Sequence, residues 1–142
     1  MGKETIAIAK QPAIVLDSWA VLAYLEDEPS ADSIEDIMAQ AHDAGVPLFM
    51  SVINAGEVWY SVARRRSEKD ADECLKDLHD LGITLMDAGW NLTRRAADFK
   101  RKGRIAYADC FAAALAKMNG APLVTGDREF ELLQDRISIL WV

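Results

Sequence analysis

The chain has 142 residues, 51% of them hydrophobic, enough for one domain with its own core. Its net charge of −7 excludes loose, charge-driven attachment to nucleic acid, but not a nucleic-acid enzyme, because bound divalent cations invert the local potential. No apolar run approaches the ~18 residues that span a bilayer, and "MGKETIAIAKQPAIVLD" lacks a secretory core, so a soluble cytoplasmic protein with no membrane partner is expected.

Residues 1–12 read as a short N-terminal extension of a single domain covering 1–142. Residues 13–16 are strand-like, and 19–26 form a helical pattern stopped by Pro29. Ser30 or Asp32 is placed to cap a helix over 34–44, which Gly45 ends. "PLFMS" (47–51) is a second strand. Val52–Arg65 is helical, with Val52, Ala55, Val58, Trp59 and Val62 at core spacing. Ser67 caps a helix over 70–81, ended by Gly82, and "ITLM" (83–86) is a third strand. Trp90–Arg101 is a basic helix closed by Gly103. The pattern over 107–118 is apolar nearly all round, which predicts a buried helix, ended by Gly120. "PLV" (122–124), a short helix over 129–133 and the strand "ISILW" (137–141) complete the chain. Cys74 and Cys110 lie within helical patterns and are expected to be free and buried. There is no CxxC, and His42 and His79 are isolated, so zinc is not expected.

Strands separated by helices imply an α/β fold: a three-layer α/β/α arrangement around a parallel sheet of about five strands. Ligands of such sheets bind outside the carboxyl ends of the strands. Asp17, Asp87 and Asp127 follow strand-like runs, and Asp17 and Asp127 each also suit a helix cap. Two more acids lack a local partner. At helical spacing Glu57 meets Ile53, Asn54, Tyr60 and Ser61, and Asp109 meets Ile105, Ala106, Ala112 and Ala113; none is cationic. In a buried helix, a bare Asp109 costs several kcal/mol unless it is paired or metal-bound, although the helix dipole offsets about 0.3–1 kcal/mol. Clustered carboxylates need a cation, and ligation by oxygen alone suits Mg²⁺ or Mn²⁺.

"IVLDSWAVLAYL", "NAGEVWYSVARR", "YADCFAAALA" and "LVTGDREF" resemble, in order and spacing, the four acidic motifs of PIN-domain nucleases, most of all the VapC-type toxins of toxin–antitoxin pairs. The resemblance spans nearly the whole chain from Ala13 onward. It implies a metal-dependent endoribonuclease that leaves a 3′-hydroxyl and a 5′-phosphate. In that assignment Asp17, Glu57 and Asp109 hold Mg²⁺ or Mn²⁺, Asp127 is the fourth acid, acting through a metal-bound water or a second ion, and Thr125 supplies a supporting hydroxyl. It also implies an RNA substrate, a small antitoxin protein and a homodimer. Trp19, Tyr24, Trp59 and Tyr60 are candidates for those protein contacts or for core packing.

Positive charge is clustered, and Arg64, Arg65, Lys100 and Arg101 are the foremost candidates to guide the RNA backbone. Two other readings remain. One is a receiver-like, Mg-binding signalling domain with Asp87 as phospho-acceptor, although an acid pair after strand one and a lysine after strand five are missing. The other is a non-catalytic PIN scaffold, in which loss of an acid would be expected; none is lost.

Overall fold

Short aliphatic runs become strands, and the central ones are buried on both faces because helices cover the sheet from either side. The structure is a computed structural model and describes residues 6–142. Its strands are β1 (Ile14–Leu16), β2 (Leu48–Ser51), β3 (Ile83–Met86), β4 (Leu123–Thr125) and β5 (Ile139–Trp141). All neighbouring pairs are parallel, in the order β3-β2-β1-β4-β5. The helices are α1 (Ser18–Leu25), α2 (Ala31–Ala44), α3 (Val52–Arg65), α4 (Glu68–Asp80), α5 (Trp90–Arg101) and α6 (Tyr107–Asn119).

Alternation along the strands divides the core. Ile14, Leu16, Leu48, Met50 and Val124 pack with α1 to α4, including Val21, Ile34, Val58 and Leu78. Val15 and Leu123 pack on the other face with Ala96 and Phe99 of α5, Phe111 of α6, and Phe130 and Leu133. The result is the expected three-layer α/β/α sandwich. Helix α6 is buried continuously from Asp109 to Ala116. Gly120, at φ 59, closes it in the left-handed region and turns the chain into β4, a conformation in which a Cβ is strained.

The order places β1 between β2 and β4. The connection direction reverses there, so the crevice for a ligand opens at the carboxyl ends of β1 and β4. Asp17 and Asp127 stand at those two ends.

Local details differ from expectation. Helix α1 ends at Leu25, and Asp27 at φ 53 makes the turn before Pro29 is reached. Helix α2 starts at Ala31, with Ser30 already in helical conformation (φ −83, ψ −4), where its side chain makes no cap bond. Residues Arg128–Leu133 form a 3₁₀ turn rather than an α-helix. Cys110 is buried as expected, but Cys74 is half-buried, because α4 is an outer helix that buries only Ala71 and Leu78 fully. Within the expected N-terminal extension, Ile8–Lys10 form a 3₁₀ turn whose Ile8 joins the core; residues 1–5 of that extension lie outside the described residues.

Candidate metal centre

Asp17 is the first residue past β1 and caps α1. Its Oδ1 accepts the Ala20 amide hydrogen at 2.8 Å, and its Oδ2 accepts the Thr125 hydroxyl at 2.5 Å. Only 1% of the residue is exposed. Burial pushes its carboxyl up to about 7; the bonds from Thr125 and Ala20 pull the other way, and Asp109 and Asp127 push further up. The Thr125 oxygen also accepts the Asp127 amide hydrogen at 3.0 Å, so one buried hydroxyl couples the ends of β1 and β4.

Gly126 allows that coupling. A Cβ there would fall inside the indole ring of Trp19, which covers the turn from α1. Asp127 then caps the 3₁₀ turn, its Oδ1 accepting the Glu129 amide hydrogen at 3.0 Å. Phe130, fully buried, anchors the turn to the core.

Glu57 and Asp109 arrive on α3 and α6. Glu57 Oε1 accepts from the Ser18 hydroxyl at 2.9 Å and from Asn54 Nδ2 at 3.0 Å. The same Asn54 nitrogen donates to the Ala108 carbonyl at 3.0 Å, tying α3 to the first turn of α6. Asn54 is fully buried, and its Oδ1 has no hydrogen-bond partner among the described residues. Asp109 is 9% exposed, and no protein donor reaches its carboxylate among the described residues. Its carboxyl is pushed up to about 7, first by burial, then by Asp127, Glu57 and Glu129.

Oxygens of Asp109, Asp127 and Glu129 lie within 4.8 Å of one another. Asp17 and Glu57 adjoin this group electrostatically, since Asp109 raises the first and is itself raised by the second. Among the described residues none of these five acids makes an ion pair with a cation. Five uncompensated carboxylates with two elevated pKa values fit a hard divalent cation bound through oxygen.

Hydrogen bonds and mutual charge effects thus link all four expected acids and Thr125 around the carboxyl ends of β1 and β4, while of the four only Asp109 and Asp127, with Glu129, bring oxygens within 4.8 Å of one another. Glu129, Asn54 and Ser18 are additions. Glu129 lies in the first turn of the 3₁₀ segment that Asp127 caps. Asn54 and Ser18 partner Glu57 as neutral hydrogen-bond donors rather than as cations. Asp87 is exposed beyond β3, at the sheet edge and two strands from β1, so it takes no part in the crevice.

The four basic candidates are engaged elsewhere. Arg65 pairs with Glu26, Arg64 lies 4.9 Å from the Tyr60 ring centre, Arg101 pairs with Asp98, and Lys100 donates to the Ile105 carbonyl at 2.9 Å. Of the aromatic candidates, Trp19 and Tyr24 pack against the core, Trp59 donates to Asp72, and Tyr60 is exposed.

Residues 14–135 match the family model of the PIN domain. The chain is 31% identical over 126 residues to Ribonuclease VapC of Mycolicibacterium smegmatis, covering 84% of this chain and 95% of that protein. Similar folds occur in VapBC2 from Rickettsia felis, crystallised with a DNA fragment from its promoter (TM-score 0.68, 16% identity, 90% of this chain and 97% of that one). They also occur in VapC20 of Mycobacterium tuberculosis, described as a Sarcin-Ricin loop cleaving toxin (TM-score 0.66, 14% identity, 84% and 94%).

Proposed function

The chain belongs to the PIN domain family, and from that premise we propose that it is a metal-dependent endoribonuclease, the toxin of a toxin–antitoxin pair. The observation that carries this reading is the cluster of acids without cation partners beside the ends of β1 and β4.

Asp17, Glu57 and Asp109 would hold the ion, Mg²⁺ or Mn²⁺. Such an ion polarises a phosphoryl oxygen and lowers the pKa of a water for in-line attack. Ser18 and Asn54 fix Glu57 through Oε1, and Ala20 and Thr125 fix Asp17, so these ligands are oriented before anything binds. Asp127 is half-exposed and Glu129 exposed, and the two would orient the attacking water or a second ion. The Thr125 hydroxyl sets the distance between Asp17 and the Asp127 backbone.

The antitoxin reading is supported by relatives solved as VapBC complexes and by a groove of about 770 Å³ beside α1, lined by Trp19, Leu22, Ala23, Pro29 and Val142. We assign the antitoxin to this groove, with the Glu26–Arg65 pair at its edge. A homodimer completes the expected assembly.

RNA cleavage by the purified protein tests the reading. Cleavage with Mn²⁺ or Mg²⁺, abolished by EDTA and by Asp109→Asn, is expected. Activity that survives both controls would exclude the metal-acid mechanism; no cleavage by the parent protein would favour a binding scaffold.

A further inference from the structure

We propose that a groove between α5, the end of α6 and the segment before β5 is a second RNA site, which grips phosphate backbone away from the acids. The proposal rests on the ribonuclease reading and extends it to how the substrate is held.

The groove encloses about 750 Å³, and its lining includes Arg94, Arg95, Lys102, Lys117 and Arg136 against Asp98 and Asp135. Five cations against two acids leave a net +3 on the lining, in a chain whose net charge is −7. Asp98 is occupied twice, by Arg101 at 2.7 Å and Lys102 at 3.1 Å. Among the described residues Arg94, Arg95, Lys117 and Arg136 make no ion pair, and all four are exposed. Two of them are braced. The Arg136 guanidinium lies 5.9 Å from the centre of the Phe99 ring, and the Lys117 ammonium donates to the Arg136 carbonyl at 3.1 Å. Neither contact neutralises charge, and each limits the freedom that binding an anion would otherwise remove.

Position separates this groove from the acid crevice. Lys117 precedes β4 and Arg136 precedes β5, at the edge of the sheet where strands begin, whereas the acids lie where strands end. Along α6, Lys117 is eight residues beyond Asp109, ~12 Å at 1.5 Å per residue. One phosphate cannot reach both sites, but a longer or folded RNA can. A backbone polyanion suits the lining because guanidinium forks match phosphate oxygens and because phosphate contacts position a nucleic acid without reading its sequence. An acidic enzyme gains from such a site, since the field around the acids repels RNA until a cation is bound.

The test is Arg95→Gln combined with Arg136→Gln, made in the full chain and again in an Asp109→Asn background for binding. By fluorescence anisotropy, affinity for a long structured RNA should fall about tenfold at low salt. The slope of log affinity against log salt should shrink by about 2, at about 1 for each of two lost phosphate contacts. Cleavage of an oligonucleotide too short to span both sites should keep the parent rate, and the melting temperature should not move. Unchanged affinity and slope would overturn the proposal, as would equal loss on short and long RNA. If the parent cleaves neither RNA, the nuclease reading fails by itself, while the anisotropy still decides whether the groove binds RNA.

Discussion

The acids divide into a held pair and an open trio. Asp17 and Glu57 receive four protein donors: the Ala20 amide, the Thr125 and Ser18 hydroxyls, and the Asn54 amide. Asp109, Asp127 and Glu129 receive one among the described residues, the Glu129 amide on Asp127. Neutral donors orient a carboxylate without cancelling its charge. In the proposed metal centre the pair would fix the position, and the trio would gather the charge that calls for a cation. Both arrangements leave one carboxyl near 7, because burial outweighs even the two hydrogen bonds on Asp17.

The sharpest way to break this comparison is Asp109→Asn. Cleavage should fall on the order of 10³-fold. The metal-free protein should melt higher, since a buried charge without a donor is removed. Asp127→Asn should cost less, because Asp127 is half-exposed and has a second role as a cap. The reverse order in rates would mean that the core ligands are misassigned.

The next effect is on stability. Asp17 titrates at about 7 in the fold against an ordinary 3.8, so its folded form binds a proton that the unfolded chain releases. Its contribution is complete below pH ~4 and is lost as pH rises through about 7, at most about 4 kcal/mol. Urea melts of metal-free protein should show stability falling from pH 5 to pH 8, and Mn²⁺ should restore far more at pH 8 than at pH 5. A flat profile would mean that the acids are already compensated.

Asn54→Ala probes the held pair through its support. Activity should drop roughly 10–100-fold and Mn²⁺ affinity, read by calorimetric titration, should weaken with it. Normal Mn²⁺ affinity with a lowered melting temperature would reduce Asn54 to a structural link between α3 and α6. The smallest change is expected from Glu129→Gln, roughly tenfold or less in rate, because Glu129 is exposed at the mouth of the crevice. A loss equal to that of Asp109→Asn would move the centre outward, onto the trio.

Much of the fold is legible in the sequence, and for a physical reason. The alternation of apolar runs with helical periods is local information, and it anticipated every strand and α-helix to within a few residues. Glu57 and Asp109 stood out because nothing at helical spacing could neutralise them. Less visible were partners of neutral type. Ser18 reaches Glu57 across 39 positions, and Asn54 reaches the Ala108 carbonyl across 54. The partners of the basic segments are hidden for a related reason. Clustering along the chain says where cations are concentrated but not whether each already has a partner, and Arg65 and Arg101 do.

The sequence by itself determined the layers and the acids, since burial of apolar side chains and the lack of a nearby cation are both set by close neighbours in the chain. The tertiary structure alone decided that β4 pairs with β1, bringing the Thr125 hydroxyl onto Asp17 from 108 residues away. It also decided that Lys117 and Arg136 share a groove with α5. Hydrogen bonds and electric fields act over a few ångströms of space, and only the packed sheet brings such distant positions within that range.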